Sequence, residues 1–411
     1  MKILFLVGEF PKLSQTFILS QITGLIDAGH EVTILAKKSD GGSKVHPDVL
    51  NYDLLKHVVY YGDAAHSENR CNKVLAFGRA LCAHMVTRIF NRQYKGAVSF
   101  KNLCKMPNLI LLVRTLNQVD LTDRAIIVAH FGPNGLLAQK CIEMGLLNGK
   151  LFTFFHGYDM LRYVKQTGRN AYQDLFRSPS LILPISDFWR RRCIELGADS
   201  SRVIVHHMGI DLLRFGSHPA QLTKPVILVS AARLVEKKGL EYGIEAVGQL
   251  ITKGYAVRYF IVGDGPLKDK LQNQIEKNKL TRQIRLLGWK TQNEWIELMT
   301  DAQIVLAPSI TASDGDMEGI PVQLMEAMAM RKIVVSTVHS GIPELIHDGE
   351  NGCLVPEKNS DALADVLEQL IRSPEKWSRI TQNARQTIKT EFNSQKLNAE
   401  LIKLFNEKRA K

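Results

Sequence analysis

The stretch "PVILVSAARLVEKKGLEYG", Pro225 to Gly243, decides the fold. Val226 to Val229 is an unbroken aliphatic run, too short for a helix and without the alternation of a half-exposed strand. It reads as a strand covered on both faces. A polar loop follows, carrying Arg233, Lys237, Lys238 and Gly239, and then a helical pattern from Leu240 to Thr252. The next apolar run, "VRYFIVGDG", again ends in glycine. Strand, loop, helix and strand in that order make a βαβ unit, and successive units make a parallel sheet flanked by helices.

The same punctuation recurs along the chain. Towards the start lie "KILFLVG", the helical "TFILSQITGLIDAGH" closed by Gly29, and "EVTILAK". Then come "AIIVAHFG", the helix "GLLAQKCIEMGL", "LFTFFHG", "SLILPIS", the helix "DFWRRRCIELGA" and "RVIVHHMG". Beyond residue 265, "IRLLGW", "IVLAPS" and "KIVVST" alternate with helices. The expected class is α/β, with two Rossmann-like doubly wound parallel-sheet domains facing across a cleft. At 411 residues the chain exceeds one ordinary core. We place the domains at 1–208 and 209–385, with a C-terminal helix over 386–411 packing back towards the first domain. Gly, His and Pro accumulate between Met208 and Pro225, where the boundary is expected.

Composition narrows the class further. A hydrophobic fraction of 45% and a charged fraction of 23% fit a globular protein. No apolar run approaches the ~18 residues of a membrane span. The start, "MKILFLVGEF", is too briefly apolar for a secretory signal of about 7–15 apolar residues, and reads as a first strand of a cytoplasmic protein. The six cysteines are scattered without a C-x-x-C pair, which disfavours disulfides and a zinc site. Positive charge is uneven: residues 1–205 hold 26 Lys+Arg against 16 Asp+Glu. From Asn69 to Val119 basic residues, among them Arg88, Arg92, Lys95, Lys101 and Lys105, alternate with large apolar ones and no acid intervenes. That profile fits an anionic membrane surface. Nucleic acid would satisfy the charge too, but no nucleic-acid module motif is present. A solvated basic helical face is the plainer alternative.

Ligands of open parallel sheets bind beyond the carboxyl ends of the strands. Gly8, His156 with Gly157, Arg233, Gly263 with Gly265, and Ser309 are all expected at such ends. Arg233 and Lys238 offer a guanidinium fork and an ammonium at a helix start, a pairing suited to a diphosphate. Lys237 competes with Lys238 for that role. An Arg233→Ala change is expected to act as the loss of a buried charge. "VGDGP", residues 262–266, is a tight turn and neither a dinucleotide fingerprint nor a Walker loop. Ser14 is a candidate cap for the first helix.

"DMEGIPVQLMEAMAM", Asp316 to Met330, reads as a loop entering a buried helix with Pro321 as its first residue. Gly319 and Ile320 would then present free N–H groups to an anion. Glu318, in the entering loop, suits sugar hydroxyls; Glu326, deeper in the helix, suits a ribose. Two carboxylates also fit a glycosidase, although a basic pair and a helix terminus are not needed for hydrolysis of a neutral sugar. Glu326 could equally be a buried charge paired with Arg331 or Lys332, and His156 a structural histidine after a strand.

Taken together, Glu318 and Glu326, "AARLVEKKG", "VGDGP" and the two-domain layout resemble retaining family-4 glycosyltransferases of the GT-B fold. "EFPKLSQTFILSQI" and "PSITASDGDMEGIPVQLMEAMA" are similar to the branch that builds bacterial exopolysaccharides, including colanic-acid-type enzymes. The resemblance implies a retaining, metal-independent transfer of a hexose from a nucleotide-diphosphate sugar, UDP favoured. Its implied acceptor is a polyprenyl-diphosphate-linked or growing oligosaccharide at the inner face of the cytoplasmic membrane. It implies that Arg233 and Lys238 hold the diphosphate, Glu318 touches the donor sugar, Glu326 the ribose and His156 the reaction centre. The first domain would bind acceptor and membrane, the second the donor. Where many relatives carry two glycines in the first loop, this chain has Gly8 followed by Glu9 and Phe10. "HGYDM" leaves the role of Asp159 open, and Asp314 with Asp316 reads as acceptor-side rather than as a metal pair. No metal or other cofactor is expected. The competing classes are a nucleotide-sugar epimerase, a glycoside-acting hydrolase, and a non-catalytic sugar-nucleotide binder.

Overall fold

The computed structural model describes residues 1–12, 15–40, 45–62, 106–157 and 159–409. Ser14 and the basic residues Arg88, Arg92, Lys95, Lys101 and Lys105 lie outside the described residues. Two six-stranded sheets organise the described residues, and every strand pairing in them is parallel. The first runs β3-β2-β1-β4-β5-β6, with β1 Lys2–Glu9, β2 Glu31–Lys38, β3 Val58–Tyr60, β4 Ile126–His130, β5 Lys150–Phe155 and β6 Leu181–Pro184. The second runs β12-β11-β10-β7-β8-β9, with β7 Val226–Ala231, β8 Val257–Val262, β9 Ile284–Gly288, β10 Ile304–Ala307, β11 Ile333–Thr337 and β12 Cys353–Val355. Each order starts at a central strand, grows to one edge, then returns to the centre and grows to the other. Each sheet therefore has a switch point, β1 beside β4 and β7 beside β10, where a crevice opens at the strand ends.

Side chains explain the layering. In β4 all five residues are buried, as are all five of β11 and all four of β10. Such strands need helices on both faces. The main helices are α1 Thr16–Asp27, α2 Pro107–Leu116, α3 Gly132–Glu143, α4 Asp187–Glu195, α5 Leu240–Thr252, α6 Lys268–Lys277, α7 Gln292–Asp301 and α8 Val322–Ala329. They continue with α9 Ser360–Arg372, α10 Trp377–Glu391 and α11 Ser394–Arg409. Ser186 caps α4, and Thr291 with Glu294 forms a complete capping box on α7.

Two expectations are corrected here. "RVIVHHMG" forms no strand; one bridge, Val203 to Ile182, ties it to β6, and two further backbone bonds run alongside. Gly8 lies at the carboxyl end of β1, one residue before Glu9. Pro321 is the N-cap of α8, with extended backbone, and the helix begins at Val322. The sequence reading also passed over β3 and β12, each three residues long.

The chain ends by crossing between lobes. α10 packs on α8 within the second lobe, whereas α11 lies on α1, and its Leu401 and Phe405 are buried in the core of the first lobe. Phe405 meets Phe152 of β5 edge-on at 4.7 Å. Glu344 reinforces the docking from the other side. Its carboxylate accepts the backbone N–H of Asp187 at 2.7 Å and of Phe188 at 3.0 Å, so a second-lobe side chain caps a first-lobe helix. Phe405→Ala should lower stability by about 3–5 kcal/mol, as expected when a buried aromatic is truncated. The midpoint of denaturant unfolding, followed by tryptophan fluorescence, reads that loss.

Candidate active site

The loop after β7 carries the cationic residues, and the neighbouring glycines hold it in place. Leu234 N–H donates to Asp264 O and Ala232 N–H to Val262 O, both at 2.9 Å. A Cβ on Gly263 would fall 1.8 Å from Ala232 O, and one on Gly265 2.6 Å from Leu234 O. Both glycines have positive φ, so they combine close approach with backbone other residues seldom adopt. "VGDGP" thus nests the Arg233 loop. Gly239, at φ +58, similarly presses on Pro308 O and opens α5.

The two adjacent lysines converge on one carboxylate. Lys238 Nζ donates to Glu318 Oε2 at 2.6 Å, and Lys237 Nζ lies 3.3 Å from Glu318 Oε1. Lys237 is further held by Asp316 Oδ2 and by Met317 O, both at 3.1 Å. Lys237 is therefore fully engaged in the loop, while Lys238 has Glu318 as its one partner among the described residues. Burial pushes the Glu318 carboxyl up, but the two lysines outweigh it and hold the group at about 2. Arg233 is exposed and its guanidinium has no partner among the described residues, which corrects the expectation of a buried charge.

Two residues that the sequence reading missed anchor Glu318. Its backbone N–H donates to His339 Nε2 at 3.0 Å, and His339 Nδ1 meets Glu357 Oε1 at 2.5 Å. Glu357 also accepts the backbone N–H of Thr311 at 2.7 Å, so one carboxylate ties both ends of the loop. The sequence signal was faint: a histidine just beyond strand β11.

Glu326 lies under opposite conditions. Its partner is Trp295, whose Nε1–H donates to Oε2 at 2.8 Å. Neither Arg331 nor Lys332 pairs with it; Lys332 donates to Thr300 O. Burial raises its carboxyl to about 7 despite the Trp295 bond. Glu326 lines an interlobe cavity of about 340 Å³, shared with Phe17, His46, Arg214, Gln292 and Val322. Gln323, on the same face, is used differently: its Oε1 accepts Ala231 N–H at 2.7 Å, tying α8 to the end of β7. Ser309 is buried, its carbonyl accepting from Thr337.

His156 arrives from the opposite lobe. A Cβ on Gly319 would lie 3.2 Å from His156 O, so the loop entering α8 and the turn after β5 are in contact. Ile320 lies in the same loop, beside Gly341. Asp159 shapes the histidine turn by accepting the N–H groups of Gly132, His156 and Gly157 at 3.0, 3.0 and 2.9 Å. Burial still raises its carboxyl to about 6. The His156 ring lies between Phe131 and Phe17, at centroid distances of 4.6 and 4.9 Å. Gly8 stands apart at the first switch point, with open space beside it. Asp314 faces the first lobe, its carbonyl accepting from Lys165 at 3.0 Å.

Two switch points joined by a loop contact, with cations and a helix N-terminus between them, define a two-lobed transferase site. The fold agrees: the crystal structure of Anabaena HepE in complex with UDP-glucose aligns over 99% of this chain and all of its own, at 19% identity and a TM-score of 0.71. That likeness shows the GT-B fold. In sequence, the model of glycosyl transferases group 1 matches residues 216–387. WcaL of Escherichia coli K12, a glycosyltransferase named for colanic acid biosynthesis, is 38% identical over 98% of this chain and 99% of its own length. AmsK of Erwinia amylovora, an amylovoran biosynthesis glycosyltransferase, is 36% identical over 96% of both. The chain belongs to the group 1 glycosyltransferases.

The raised Glu326 carboxyl makes a pH-dependent prediction. Unfolded, the group ionises near 4.5; folded, near about 7. Between those values the folded chain holds the extra proton, so this group weakens stability as pH rises, with its full effect above about pH 7. Glu326→Gln removes the titration. Its stability relative to the unsubstituted chain should climb from pH 4.5 to pH 8 by up to about 3 kcal/mol. Thermal unfolding across that range measures it.

Proposed function

We propose that the protein is a retaining, metal-independent hexosyltransferase that uses a nucleoside-diphosphate sugar, UDP-linked by preference. The acceptor in this proposal is a lipid-linked or growing oligosaccharide in exopolysaccharide biosynthesis. One observation carries the reading: Lys238, paired among the described residues with Glu318 alone, stands at the loop entering α8, where Gly319 meets His156 of the other lobe, and Arg233 on the same β7 loop is exposed with no partner among the described residues. Cations and exposed peptide N–H groups converging there suit the diphosphate of a leaving nucleotide. The relatives support the pathway, since WcaL and AmsK are named for colanic acid and amylovoran biosynthesis. HepE, crystallised with UDP and with UDP-glucose, supports the nucleotide.

In this mechanism the nucleoside end of the donor lies in the cavity beside Glu326, whose carboxyl takes the ribose hydroxyls. Arg233, Lys238 and the amides at Gly319 and Ile320 meet the charge that grows on the departing diphosphate. Preorganised donors of this kind are worth about 3–4 kcal/mol each where measured, and they supply the charge that a metal supplies elsewhere. Glu318 holds Lys238 in position and accepts from a donor-sugar hydroxyl. His156 positions the incoming hydroxyl, which attacks from the leaving-group face and so retains the anomeric configuration.

Lys238→Ala should lower the rate of UDP release from donor by about 10²–10³-fold. Release by the unsubstituted chain should persist in EDTA, and NMR of the glycosidic product should show the donor's anomeric configuration. EDTA-abolished turnover or an inverted product would overturn the reading. We further propose that the basic segment containing Arg88, Arg92, Lys95, Lys101 and Lys105 meets the anionic inner face of the cytoplasmic membrane. No helix of the described residues is long and apolar enough to cross a membrane. Liposome flotation should give binding that needs anionic lipid and weakens when Arg88, Arg92 and Lys95 are neutralised. Equal binding to neutral vesicles would count against it.

A further inference from the structure

A line of three polar side chains runs from α1 to the cleft. Gln21 of α1, 4% exposed, places Oε1 at 2.9 Å from His130 Nε2. His130, the last residue of β4 and fully buried, places Nδ1 at 3.0 Å from His156 Nε2. Each imidazole in its neutral form has one donor nitrogen and one acceptor nitrogen, so a bond on one side fixes the other. The Gln21 carbonyl oxygen can only accept, so His130 Nε2 carries hydrogen and His130 Nδ1 is the bare acceptor. His156 must then donate through Nε2. Its remaining nitrogen, Nδ1, has no hydrogen-bond partner among the described residues, and the residue is only half-buried.

We infer that Gln21 and His130 are positioning residues that hold His156 in its Nε2–H tautomer, leaving Nδ1 as an acceptor for a sugar hydroxyl.

The surroundings favour neutral rings throughout. His130 stacks on Phe154 at 4.8 Å and on Phe5 at 5.8 Å, and burial holds its pKa well below the usual histidine range. Burial likewise holds His156 at about 3. Charge cannot settle the polarity of such a pair, so the terminal carboxamide does. Phe17 and Phe131 fix the plane of the His156 ring, and the Gln21–His130 line fixes which of its nitrogens bears hydrogen. Phe131 does so from a backbone with φ of 71°, a strained value for a non-glycine residue. The line serves no other visible end: His130 makes no other side-chain bond among the described residues, though its carbonyl accepts from Asn134. A neutral acceptor at the cleft would orient a hydroxyl by its O–H bond, aiming the oxygen lone pairs away from the ring and towards the donor carbon.

The inference rests on the transferase reading of His156, and the test separates the two. The full chain is labelled with 15N-histidine and its long-range 1H–15N spectrum recorded near pH 7.5, with the His156 signals assigned by their loss in His156→Asn. The expected pattern is a bare Nδ1 and a protonated Nε2 on His156. Gln21→Leu should mix the two tautomers and slow UDP release from UDP-glucose about tenfold or more, as loss of an orienting partner typically does. Affinity for free UDP should stay unchanged, because the diphosphate residues are untouched. Gln21→Glu, which keeps an accepting oxygen, should restore the tautomer and most of the rate. A His156 ring protonated at Nδ1 in the unsubstituted chain would overturn the inference, as would a Gln21→Leu variant with unaltered tautomer. Generalised loss of UDP affinity in Gln21→Leu would mark Gln21 as merely structural. The expected spectrum in a chain that releases no UDP from any UDP-hexose would leave the hydrogen-bond line standing and remove the proposed UDP-hexose donor instead.

Discussion

Much of the second lobe is organised by the pairing of one buried carboxylate, Glu318, with two consecutive lysines. A carboxylate this deep is strongly unfavourable unless opposite charge reaches it in good geometry. That requirement dictates backbone. The Arg233 loop must turn so that Lys237 and Lys238 both face inward, and Gly239 must take positive φ to begin α5 immediately afterwards. Gly263 and Gly265 must leave room for the loop to nest. From the far side His339 and Glu357 clamp the Glu318 backbone. The result is an electrostatically satisfied floor at the second switch point, while Arg233 on the same loop is exposed and has no partner among the described residues.

The first lobe contributes a different kind of constraint. Its switch point carries a column of rings: Phe5, His130, Phe154, His156, Phe17 and Phe131. Aromatic packing fixes planes and distances, whereas hydrogen bonds along the column fix polarity. One lobe thus offers preorganised positive charge and the other a rigid, neutral, directional surface. Cross-lobe bonds keep the two in register: Glu344 on the start of α4, Arg214 with Asp48, and His46 with Gln292 at 3.1 Å. Apolar contact joins them, since Met317 packs on the core of the first lobe and Gly319 lies against Ile185.

Most of the architecture was legible because strands buried on both faces leave an unmistakable pattern. "VILVSA", "IIVAH" and "IVVST" admit few other interpretations. Legibility failed where an element's existence depends on partners distant in sequence. β3 and β12 are three-residue pairings created by the sheet edge they join, and "RVIVHHMG" has strand composition but meets β6 at a single bridge. At the site, residue types announced a cluster of cations, yet not the division of labour within it. Lys237 and Lys238 are chemically identical neighbours, and only the loop's turn engages one fully while leaving the other a single partner. Glycine gave a similar lesson, since the "VGDGP" glycines accommodate the neighbouring loop.

Glu318 and Glu326 sharpen the point, because they share a residue type, a segment and a depth of burial while their acidities move in opposite directions. Glu318 has two ammonium groups within 3.3 Å and ionises near about 2; Glu326 has one indole N–H and ionises near about 7. Burial acts alike on both, so the sign is set by whether cations arrive from the β7 loop, eighty residues earlier in the chain. The consequence for a ligand is specific. Glu318 is a fixed anion that orients its surroundings before anything binds. Glu326, close to half protonated at neutral pH, gains most from a partner that brings hydroxyl donors and stabilises its ionised form. A vicinal diol entering the cavity would supply them, and would make the deeper glutamate the one whose charge responds to occupancy.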